Sequence, residues 1–177
     1  LELKQLTADP DGLEVLDVDQ DGLNDVLLFV KYEKPVLVRQ TKKRNFELID
    51  APDAHESLIK DASLSSIAVA DVDRKKGKEL LLAQKNFARS LVFENAKSWK
   101  VVDQYNARGA ENNISAVAAF PIGDTYLLDG PAILLLDGRK GQLQILKAGA
   151  DKTYRFEREL DVGNWNTAEH LKILFAP

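Results

Sequence analysis

The chain repeats itself. Within residues 65–94, SSIAVADVDRKKGKELLLAQKNFARSLVFE, the part from Ile67 onward aligns without a gap on residues 13–40, LEVLDVDQDGLNDVLLFVKYEKPVLVRQ, at an offset of 54: Val15 matches Val69, Asp17 matches Asp71, Asp19 matches Asp73 and Asp25 matches Glu79. A third copy, residues 115–147, keeps the apolar skeleton. Aligning Val117 with Val69 gives an offset of 48 and Ile133 with Leu80 an offset of 53, so its acidic loop is replaced by a longer one. Within each copy the apolar residues come in short blocks such as DVLLFV, PVLVRQ and FELID, separated by Gly, Pro, Asp and Lys, which is the pattern of short strands and not of helices. A further block follows each copy: NFELID, WKVVDQ and YRFEREL.

Four short strands with tight connections make an antiparallel meander, because parallel neighbours need long crossovers. A meander recurring at this period predicts an all-β chain of β-propeller blades. Runs such as VLLFV, ELLLA and AILLLD are nearly continuous in apolar character, as expected of strands buried on both faces between neighbouring blades. A β-sandwich also has many short strands, but it does not predict a repeat in register. The expected blades are 13–50, 65–104 and 114–160. Residues 1–12 read as the end of a preceding blade and 168–177 as the first strand of a following one. Three blades are too few to close a ring of about four to eight. The expectation is therefore a partial propeller that either continues outside this chain or assembles with a second copy.

Composition narrows the function. The chain has 177 residues, 45% hydrophobic and 29% charged, as in globular proteins. Its net charge is −4, and the basic residues are scattered instead of forming a stripe, which argues against nucleic acid. No apolar run approaches the roughly 18 residues that cross a bilayer, so membrane insertion is not expected. There is no cysteine, hence no disulfide and no thiolate metal site.

The sharpest local feature is Asp17 to Asp25, DVDQDGLND, the connection between the first two strands of the first blade. Carboxylates at Asp17, Asp19, Asp21 and Asp25 can all point into a tight loop, with the carbonyl of Leu23 filling the remaining gap. Gly22 permits the positive φ that such a curl needs. Hard oxygen donors at this density suit Ca2+, which takes about six to eight of them. A plain Asp-Gly hairpin turn with solubilising neighbours is the simpler alternative. The EF-hand is excluded, because its twelfth position falls on Leu28, an apolar strand residue. In the second copy the loop offers Asp71, Asp73 and Glu79, but Lys75 stands at the third ligand position and the glycine has moved by one. The expectation there is a metal-free loop in which the ammonium of Lys75 or Lys76 replaces the ion. The third loop has only Asp124 and Asp129 and is expected to bind nothing.

LDVDQDGLNDVLLF and ADVDRKKGKELLLA resemble the FG-GAP or VCBS repeats of integrin α-subunit propellers and of many bacterial secreted proteins. That resemblance implies calcium in the loop between the first two strands, with Asp17, Asp19, Asp21, Asp25 and the Leu23 carbonyl as ligands. It further implies an adhesion or binding scaffold for a protein or carbohydrate, extracellular or periplasmic.

Catalysis has little to stand on. His55 and His170 have no nearby Ser or Cys in a nucleophile context, and no G-x-S-x-G, H-E-x-x-H or phosphate-cradling loop occurs. The expectation is no enzyme. The alternative is the propeller domain of a secreted carbohydrate-active enzyme, such as a polysaccharide lyase. Trp99, Trp165 and Tyr105 could form a sugar platform, although aromatics at these positions more often pack between blades.

Overall fold

The computed structural model of the chain describes residues 6, 8–49, 58–95, 97–120 and 130–163. Among them are twelve strands, one 3-10 turn at Leu64–Ser66 and no α-helix. Strands β1 (Gly12–Leu16), β2 (Asp25–Phe29), β3 (Val36–Lys42) and β4 (Asn45–Ile49) form the first sheet. The second comprises β5 (Ile67–Ala70), β6 (Glu79–Gln84), β7 (Phe87–Glu94) and β8 (Ser98–Asn106). The third comprises β9 (Ile114–Phe120), β10 (Ala132–Asp137), β11 (Gln142–Ala148) and β12 (Tyr154–Asp161). Each is a four-stranded antiparallel meander in sequence order. The protein is thus all-β, built of three propeller-type blades.

The middle sheet explains the continuous apolar runs. Successive side chains of a strand point to opposite faces. In β6, Leu80 and Leu82 join one buried cluster with Leu16, Leu27, Phe29 and Leu37 of the first sheet. Leu81 and Ala83, on the other face, join a second cluster with Val117, Ile133 and Leu135 of the third. A strand that is core on both faces has no polar side to alternate with. Trp99 lies in the first cluster, its ring 5.4 Å from that of Phe93, and is buried packing instead of a sugar platform. Tyr105 is likewise buried, stacked edge-on against Tyr154 and donating its hydroxyl to Ser90. Trp165, His55 and His170 lie outside the described residues, as do residues 168–177; of residues 1–12, residues 6 and 8–12 are described, and Gly12 opens β1.

The outermost pair of every sheet carries a register irregularity: Gln40/Lys42, Ser90/Leu91 and Ile145/Leu146. Such bulges increase local twist and turn the last strand away from its partner. One detail departs from the repeat alignment. The second sheet pairs Val69 with Leu80, so carrying Val117 and Ile133 over would set those two opposite each other. Val117 instead faces Leu135. A two-residue slip keeps the same side chains toward the core, which is why hydrophobic pattern cannot detect it.

Candidate metal centre

The loop between β1 and β2 begins at Asp17, one residue after β1 ends, and closes at Asp25, the first residue of β2. Its shape is set by two left-handed residues, Gln20 at φ 59° and Gly22 at φ 97°. The second copy repeats the device with Arg74 at φ 60° and Gly77 at φ 106°. The glycine shift seen in sequence is therefore accommodated without losing the curl.

The curl is stitched by its own carboxylates. Asp17 Oδ1 accepts the Asp21 N–H and Oδ2 accepts the Gly22 N–H, each at 2.9 Å. Asp19 Oδ1 accepts the Asp21 N–H at 3.3 Å, and Asp21 Oδ1 accepts the Leu23 N–H at 2.8 Å. This gathers Asp17, Asp19 and Asp21 so that one oxygen from each lies within 4.8 Å of the others. Three carboxylates this close repel one another unless a cation is near. An all-oxygen donor set with flexible geometry fits a hard divalent ion.

Asp25 is placed differently. Its side chain is fully buried, and its oxygens accept the Val18 N–H at 2.9 Å and the Gln40 N–H at 2.8 Å. Burial pushes this carboxyl above its ordinary range, and the nearby Asp19 and Asp21 push the same way, against the two amide bonds. Asp25 thus ties the loop to β3 and stands outside the converging trio. Leu23 lies in the same turn, half-buried.

Arg39, on β3, is the residue that loop spacing could not reveal. Its Nε donates to Asp19 Oδ2 at 2.5 Å, its Nη2 to Asp21 Oδ2 at 3.2 Å and its Nη1 to Glu47 at 3.4 Å. The only sequence sign of it is a charge directly after the apolar run Val36–Val38 that opens β3.

The second copy also converges: Asp71, Asp73 and Glu79 each place an oxygen within 4.8 Å of the others. Glu79 is the counterpart of Asp25, fully buried, accepting the Val72 N–H at 2.9 Å and raised in pKa chiefly by burial. Lys75 Nζ reaches Asp73 at 2.8 Å from an exposed position. Gln20 crosses from the first loop to donate to Glu79 at 3.3 Å. The third loop, with Asp124 and Asp129, lies outside the described residues. A different acidic group in the third sheet, the buried Asp137, accepts the Arg139 and Lys140 N–H groups and lies 3.8 Å from Lys140 Nζ. That ammonium also donates to Ala110 O and Asn112 Oδ1, at 3.0 and 2.8 Å.

No known protein-family model matches the chain, and no curated protein sequence matches it either. Among solved structures, a chain described as "Crystal structure of BBS1N in complex with ARL6DN, soaked with lead" is similar at 9% identity and a TM-score of 0.44. The match covers 85% of this chain and 43% of that one, so the present chain spans less than half of its length. Among the described residues no helix is long and apolar enough to cross a membrane.

Proposed function

We propose that this chain is part of a calcium-stabilised β-propeller of the FG-GAP or VCBS kind, a non-catalytic scaffold that binds a protein or a carbohydrate outside the cytoplasm. The observation that carries the reading is the convergence of Asp17, Asp19 and Asp21 in the turn between the first two strands of a blade. In this reading those three side chains and the Leu23 carbonyl hold the ion, and Asp25 anchors the turn beneath it. The bound ion supplies positive charge that relieves carboxylate repulsion and locks the curl. A site with so few side-chain ligands suits the millimolar calcium of extracellular modules, for which Kd values are about 10⁻⁴–10⁻³ M.

The expected result is a higher melting temperature in calcium than in chelator. At a calcium concentration of about a hundred times Kd, linkage contributes about 2.7 kcal/mol. The double variant Asp17→Asn/Asp21→Asn should lose this difference. A wild-type melt that does not respond to calcium removes the reading.

Membership of a larger propeller is supported by the outward face of the first sheet. Leu13 and Val15 are 56% and 50% exposed, whereas the repeat-equivalent Ile67 is buried and Val69 packs against the first cluster. What covers Ile67 in the second sheet is the first sheet itself, so the first sheet is expected to take a similar neighbour. Light scattering checks this: a strictly monomeric species that exposes no surface to a hydrophobic dye would argue against a missing neighbour.

A further inference from the structure

The two carboxylate oxygens that an ion most needs at the first turn are already in use. Of the six oxygens of Asp17, Asp19 and Asp21, four accept amide hydrogens of the turn itself. The other two, Asp19 Oδ2 and Asp21 Oδ2, both face the guanidinium of Arg39. Asp19 is only 5% exposed and Arg39 20%, so the contact is shielded from water. We propose that Arg39 is a built-in competitor for the divalent cation, neutralising Asp19 and Asp21 when no ion is bound and leaving them when one enters. This rests on the calcium reading above and adds the residue that sets its strength.

Three observations support competition over simple packing. The planar guanidinium spreads its nitrogens over three separate carboxylates, a geometry that lysine cannot reproduce. A divalent ion on the same oxygens would sit against a like charge in a poorly hydrated place, so both cannot remain. Glu47, directly opposite Arg39 in the β3–β4 register and half-exposed, offers the displaced arginine a partner that is not part of the trio. Among the described residues of the second sheet, no arginine of β7 stands at this place. There the corresponding stretch of β7 holds Val92 and Phe93, and the cation near Asp73 comes from Lys75 in the turn itself.

The consequence is that the wild-type turn holds its shape in chelator and binds calcium more weakly than its carboxylates alone would. Calorimetric titration of calcium and thermal melts in chelator, on the wild-type chain and on Arg39→Gln, separate the possibilities. The expected result is a Kd lower by roughly tenfold in Arg39→Gln, a coupling of ordinary size between two mutually exclusive occupants. In chelator the variant should melt below the wild type, and saturating calcium should close that gap. If both proteins bind calcium with equal Kd, or the variant more weakly, the competition is overturned while the calcium reading stands. If the wild type does not bind and Arg39→Gln does, competition is upheld and native calcium occupancy is not. If neither binds, both fall. Should Arg39→Gln fail to fold, Arg39→Lys keeps the charge but not the fork. Its Kd should fall below that of the wild type, and an unchanged value overturns the proposal.

Discussion

Replacing Leu81 with alanine is expected to lower the stability of the protein by about 3–5 kcal/mol, the upper part of the range for a buried leucine truncated to alanine. Leu81 has no exposed surface, sits in the middle of β6 and packs with Ile133, Leu135 and Tyr105 in the second cluster. The cavity cannot collapse easily. β6 is held on both sides, by β5 through the Ala68–Leu81 pair and by β7 through Leu81–Ser90, and its other face is locked by Leu80 and Leu82. Equilibrium unfolding in urea should show a lower midpoint with an unchanged slope, since the surface exposed on unfolding is nearly the same. Leu13→Ala is the matched control. Leu13 is already largely exposed, and its truncation should cost less than about 1 kcal/mol. If the two variants behave alike, the second sheet is not packed on both faces.

The second large effect is expected at Asp25. Asp25→Ala leaves the buried Val18 amide and the partly buried Gln40 amide without their acceptor, and an unsatisfied buried amide costs about 1–3 kcal/mol. Removing a buried carboxylate also relieves its desolvation, so the net loss should be about 2–4 kcal/mol. The pH dependence separates these two contributions. Asp25 has a folded pKa raised above its ordinary 3.8, so its contribution to stability is fully present below that value and is lost as pH rises through the raised one. Glu79 has the same sign, from 4.5. Urea midpoints measured from about pH 4 to 7 should therefore fall less steeply in Asp25→Asn than in the wild type. A steeper fall in the variant would show that the burial of this carboxylate has been misjudged.

Strand content and the meander were legible because they rest on periodicity and turn chemistry, both local properties. The face-to-face packing was legible too, since ELLLA has no polar position to give to solvent. Three things were not legible, and each depends on a partner distant in sequence. The pairing of Val117 with Leu135 instead of Ile133 differs by two residues, a shift that leaves the inward face unchanged. Asp25 lies at the spacing of a ligand, yet its environment is set by the Gln40 amide, fifteen residues away on another strand. Arg39 enters the acidic turn from β3, and nothing in DVDQDGLND announces a cation arriving from outside it.

The contact between the first turn and the second sheet has a consequence for how such a chain can be divided. Val18, inside the acidic turn of the first repeat, accepts the backbone N–H of Phe93 from β7 at 3.0 Å, and two residues later Gln20 reaches Glu79. A cut at the repeat boundary would strip the second blade of an acceptor for a buried strand residue and of a side-chain donor to its buried glutamate. The segment that recurs in the sequence is therefore shorter than the segment that can stand alone. The second copy of the repeat is finished by the turn of the first.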